Sequence, residues 1–105
     1  GDGNTALGYS ALLLNTTADN NTAVGRVAME SNTTGYNNTA VGSNALNANT
    51  TGINNAVLGQ NALDACTSGS QNTAVGQQAL SAVTTANGMT AVGRNALGSM
   101  MEETV

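Results

Sequence analysis

Few residues in this chain are equipped for chemistry. There is no histidine, one cysteine (Cys66), six carboxylates and two cations, Arg26 and Arg94. General acid–base and nucleophilic catalysis need a base held against a nucleophile, and no such pair recurs here. Glu30 and Asp64 fall in the same slot of the repeat set out below, but two rows apart and each alone. A single cysteine makes neither an internal disulfide nor a zinc site, and Cys66 reads as a small apolar side chain in a buried repeat slot. Calcium-binding β-rolls require a Gly-Gly-x-Gly-x-Asp repeat, which is absent, so Asp19, Glu30 and Asp64 read as solvated. The expectation is a protein with no enzymatic activity, no cofactor and no metal.

Composition narrows the class further. The net charge is −4, and no basic patch exists to neutralise phosphates, which argues against a nucleic-acid partner. No apolar run approaches the roughly 18 residues that cross a membrane, and no signal peptide is evident. The sequence has 105 residues, no Phe, no Trp and only two tyrosines, Tyr9 and Tyr36. Ala, Val, Leu, Gly, Asn and Thr cannot fill a thick core, so the fold must be thin, disordered, or completed by other chains.

What positions these residues is a repeat. NTAVG occurs at 21–25, 38–42 and 72–76, with NTALG at 4–8, NAVLG at 55–59 and MTAVG at 89–93. The glycine of this word falls at Gly8, Gly25, Gly42, Gly59, Gly76 and Gly93, a constant step of 17 residues. A fixed period marks a repeat architecture. Six gapless rows start at Asn4, Asn21, Asn38, Asn55, Asn72 and Met89, and Gly1–Gly3 fit as the tail of a preceding row. The array is expected to cover 1–97, as a segment of something longer, with 98–105 (GSMMEETV) forming a cap or the entry to another element.

Each column has a physical reading if one row is one coil of a parallel β-solenoid, in which coils stack about 4.8 Å apart. Position 1 is Asn in all rows but the last, and stacked amides can donate to one copy and accept from the other. Asn also tolerates the left-handed backbone of tight corners. Positions 2–4 (T-A-V) form a strand, and the glycine at position 5 marks a corner where a Cβ would clash or φ is positive. The T-T-G stretch at positions 13–15 marks a second corner. Position 8 is always Ala and position 9 is Leu or Met. This A-L segment is compatible with a second short strand or with a helical turn. Positions 6, 10 and 16 vary as exposed positions do. Six coils would span roughly 30 Å at this spacing.

Strand parity carries the functional argument. Alternate side chains of a strand face opposite ways, so Ala at position 3 and Val/Leu at position 4 cannot share a face. A sheet apolar on both faces is normally buried on both. Alanine suits a narrow interior. The outer column, Leu7, Val24, Val41, Leu58, Val75 and Val92, would leave an apolar stripe on a lone solenoid, and such stripes mark interfaces. An oligomer with a shared core is expected, with these six residues at the subunit interface.

The words VGSNAL, VGQQAL and VGRNAL resemble the N-T-A-V-G-x-x-A-L repeat of phage tail fibres and bacterial surface fibres, over nearly the whole chain. More distantly, the chain is similar to the head repeats of trimeric autotransporter adhesins, whose coil is shorter. The resemblance implies parallel β-solenoids intertwined or side by side as a homotrimer, in an extracellular fibre on a virion or cell surface. It also implies a supporting part in host or surface attachment, with a host-surface glycan or protein as a possible partner and specific host recognition normally seated in another domain.

Other patterns have blander readings. Asn15, Asn32 and Asn49 each begin an N-T-T sequon, but they form a repeat column before a turn. Thr5, Thr22, Thr39, Thr73 and Thr90 form an array at position 2, broken by Ala56, and stacked Thr and Asn columns raise an alternative: an ice- or glycan-binding module. Position 2 shares parity with the apolar column, which favours strand propensity and hydroxyl pairing instead. Arg26 and Arg94 share position 6, at a corner, where solubilising charge is the simpler account.

Overall fold

The three-residue words that begin each row are β-branched or apolar and bounded by Asn and Gly, so each makes a strand of the shortest kind. The computed structural model of the protein describes residues 1–98. It contains β1 (Thr5–Leu7), β2 (Thr22–Val24), β3 (Thr39–Val41), β4 (Ala56–Leu58), β5 (Thr73–Val75) and β6 (Thr90–Val92). They pair in parallel in chain order as a six-stranded sheet. The register is one repeat throughout: Ala23 lies beside Ala40, and Val24 beside Val41. The chain is an all-β parallel solenoid of about five turns, with about 17 residues per coil. Its extents are 36 × 21 × 15 Å.

Such short strands hold because pairing continues around the coil. Thr39 N–H donates to Asn55 O (2.9 Å), Gly59 N–H to Val41 O (2.8 Å), Asn61 N–H to Ser43 O (3.0 Å), Leu46 N–H to Ala62 O (3.0 Å) and Thr50 N–H to Thr67 O (2.8 Å). Backbone groups therefore find partners in the neighbouring coil even outside the sheet, as buried polar groups must. Gly1–Gly3 stack in the same way, with Asn20 N–H donating to Asp2 O (2.9 Å) as Asn37 N–H does to Asp19 O (3.2 Å).

The A-L segment is neither strand nor helical turn. It is a series of tight turns closed by Ala45 N–H to Gly42 O (3.1 Å), Asn47 N–H to Asn44 O (3.3 Å) and Asn49 N–H to Leu46 O (3.3 Å). Asn44 and Leu46 have φ of 64° and 50°. Each is the third residue of its turn, the place where a type II turn requires positive φ. The pattern recurs in every coil, even at Val27 (φ 52°) and Met29 (φ 50°). Left-handed backbone thus belongs to positions 7, 9 and 17, not to the Asn at position 1.

The corner glycine meets both expected demands. Gly42 has φ of +134°, and a Cβ there would lie 2.7 Å from the carbonyl carbon and oxygen of Gly59 in the next coil. The 98–105 segment lies outside the described residues after its first member. Gly98 still follows the repeat, its N–H donating to Asn95 O (2.9 Å).

The interior is narrow and partly polar. Ala23, Ala40 and Ala74 from position 3, Ala28, Ala45, Ala62 and Ala79 from position 8, and Met29, Leu46, Leu63 and Leu80 from position 9 are fully buried. So are Asn21, Asn32, Asn38, Asn49 and Asn72. At position 1 the amide crosses the coil. Asn38 Nδ2 donates to Gly52 O (2.8 Å), while Asn38 Oδ1 accepts from the backbone N–H of Asn55 in the next coil (3.0 Å). At position 12, Asn49 Nδ2 reaches the same Gly52 carbonyl (3.1 Å) and also Asn32 Oδ1 (2.8 Å). Two asparagines therefore clamp the second-corner carbonyls of Ala18, Gly35 and Gly52 from inside, and one holds those of Gly69 and Ala86, satisfying groups that no apolar side chain could.

Candidate interaction face

The alternation along each strand decides what the protein shows to a partner. Position 3 points inward, and position 4 points out. Leu7 is 67%, Leu58 50% and Val92 70% exposed, with Val24, Val41 and Val75 half-buried. Five parallel pairings keep these six side chains in one column, which at about 4.8 Å per coil runs about 24 Å. The sequence-predicted interface residues are thus brought together on one outward face, while the six corner glycines line up beside them.

The flanks of this column are polar. On one side, Thr5, Thr22, Thr39, Thr73 and Thr90 at position 2 are exposed or half-buried. On the other, the residues after the glycine stack coil on coil. The Arg26 guanidinium lies 5.7 Å from the centre of the Tyr9 ring, a cation–π pair worth about 0.5–1 kcal/mol at an exposed site. Gln77 Nε2 donates to Gln60 Oε1 (3.4 Å). An apolar centre with a polar rim is the usual anatomy of a protein interface.

Other residues weighed from the sequence are placed elsewhere. Asn32 and Asn49 are buried with their amide nitrogens engaged, so these sequons are structural in the folded chain. The Asn column at position 1 is likewise turned inward and cannot face a ligand. The position 13 threonines bridge coils, with Thr33 Oγ1 donating to Thr50 O and Thr50 Oγ1 to Thr67 O, both at 3.2 Å. Cys66 is fully buried. Like Glu30 at the same position, Asp64 is half-buried rather than solvated, because position 10 follows a left-handed residue in a tight turn instead of sitting at a free tip. Burial pushes its carboxyl above the ordinary value, opposed in smaller part by a backbone hydrogen bond.

Among the described residues no group of three or more His, Cys, Asp or Glu is placed to hold a metal ion, and no helix is long and apolar enough to cross a membrane. No family model, curated protein or solved structure matches the chain.

Proposed function

We propose that this chain is a structural and adhesive segment: a rigid solenoid rod that associates side by side as a homotrimer in a phage tail fibre or a bacterial surface adhesin. The observation that supports it is the outward column from Leu7 to Val92, which stays apolar in every coil although the interior is already filled by positions 3, 8 and 9. Three such columns facing one another would make a second, shared core. The work done is mechanical. Coil-to-coil pairing transmits length and stiffness while leaving sheet edges only at the two ends of the stack. The place of action on this reading is outside the cell, on a virion or a bacterial surface, supporting attachment to a host. Sedimentation equilibrium tests the assembly. A mass three times the 10.4 kDa of the chain is expected, and a folded monomer would overturn the proposal.

A further inference from the structure

The second corner carries a cleft that the repeat alone does not explain. It has a volume of about 360 Å³ and is lined by Thr17, Ala18, Asp19, Asn20, Thr34, Tyr36 and Asn37. That volume sits at the low end of small-molecule sites, about 300–1,000 Å³. The equivalent corner in the next coils carries Ile53–Asn54 and Ser70–Gln71, with neither ring nor carboxylate. Only the first two coils therefore set an aromatic face beside a charged acceptor and two amides.

The chemistry of these groups selects a ligand class. Tyr36 is 46% exposed and offers a flat apolar surface with a polar tip. Asp19 Oδ1 accepts the backbone N–H of Asp2 (2.6 Å), and its second oxygen takes no hydrogen bond from the described residues. A carboxylate is a strong acceptor for hydroxyl groups. The side chains of Asn20 and Asn37 supply both donors and acceptors. Their backbones are fixed, each with φ of 60° and each N–H bonded to the neighbouring coil, so the corner is pre-organised. No arginine or lysine lines the cleft, which disfavours an anion.

We infer that this cleft is a subsite for one neutral sugar residue of a glycan, its apolar ring face laid on Tyr36 and its hydroxyls held by Asp19, Asn20 and Asn37. None of these residues belongs to the outward Val/Leu column on which the trimer reading rests.

The test uses the whole chain on an array of neutral oligosaccharides ending in glucose, galactose, mannose or N-acetylglucosamine, with sialylated glycans alongside. Retention of at least one neutral glycan is expected, lost at least tenfold in both Tyr36→Ala and Asp19→Asn. Tyr9→Ala, which removes the other aromatic ring, should bind as the parent does, and far-UV circular dichroism should show all variants folded. No retained neutral glycan, a preference for sialylated ones, or full binding by either cleft variant overturns the proposal.

Discussion

Asn49 and Cys66 occupy the same position in adjacent coils, and Asn49 Oδ1 is buried there without a hydrogen-bond partner. One coil earlier the ladder is intact, with Asn32 Oδ1 accepting from Asn49 Nδ2 at 2.8 Å. The ladder runs one way: each amide nitrogen points to the preceding coil and each oxygen waits for the next. Wherever the asparagines stop, one acceptor is left over. The place of the change therefore matters more than the residue. Asn32→Ala leaves Asn15 Oδ1 without its donor, while Asn49 Nδ2 loses one bond and keeps the other, to Gly52 O. At about 1–3 kcal/mol per orphaned group, it should cost about 1–3 kcal/mol in urea unfolding. Cys66→Asn moves the unpaired oxygen one coil along, towards Val83, and should change stability by less than about 1 kcal/mol. Equal losses in the two variants would refute the one-way ladder.

Two glycines separate steric from conformational demand at the first corner. Gly42 has φ of +134° with the Gly59 carbonyl 2.7 Å from any added Cβ, whereas Gly93 has φ of +128° and, among the described residues, only Ala96 Cβ near, at 3.9 Å. Gly93→Ala should cost about 1–3 kcal/mol, the range for a strained backbone residue. Gly42→Ala should cost clearly more, because two coils must part. Thermal melts of the two variants decide it, and equal shifts would assign the whole effect to φ.

Leu58 is half exposed in the single chain, so an acid there should barely disturb one solenoid. On the trimer proposed above, Leu58→Asp is expected to lower the sedimenting mass from three chains to one while the far-UV spectrum holds. An unchanged trimer mass would place the interface elsewhere.

Asp64 makes stability fall as pH rises. Burial lifts its folded-state pKa above the ordinary 3.8, so the folded chain holds the proton more tightly than the unfolded chain. The associated stability is fully present below 3.8 and is lost as pH climbs through the raised value. Asp64→Asn should therefore be the more stable protein at neutral pH, with its advantage shrinking as pH falls through that window. Asn is accepted at this position, since Asn47 one coil earlier donates from Nδ2 to Val27 O (2.9 Å). Paired chemical melts at pH 3 to 7 would show it, and a constant difference would count against the burial effect.

Much of this was legible in the residues. The period, the strand positions, the inward Ala and outward Val, and the corner glycine all follow from T-A-V-G and the alternation of a strand. The turn at positions 5–12 was not, because Leu46 and Val27 have no intrinsic liking for a left-handed backbone. Their φ values are imposed by the pairing of whole coils, as in Val27 N–H to Tyr9 O (2.8 Å). The repeat column marks the asparagines as stacking residues, yet half their task is to cross the coil to a carbonyl 14 residues on, a partner that no linear pattern displays. The cleft at Tyr36 is hidden from any single row, because its side chains come from two rows. The one available signal was a lone aromatic in a column of Asp19, Ile53, Ser70 and Asn87.

The constant register has a consequence for how such a molecule can change. Because each coil presents its successor with the same backbone acceptors at the same height, a block such as Asn38–Asn54 can be removed or duplicated with the backbone bonds re-forming one step along. A change of 16 or 18 residues would throw all later columns out of line. Length in this fold is therefore a quantised and nearly independent variable, adjustable in steps of about 4.8 Å, like the graduations of a ruler.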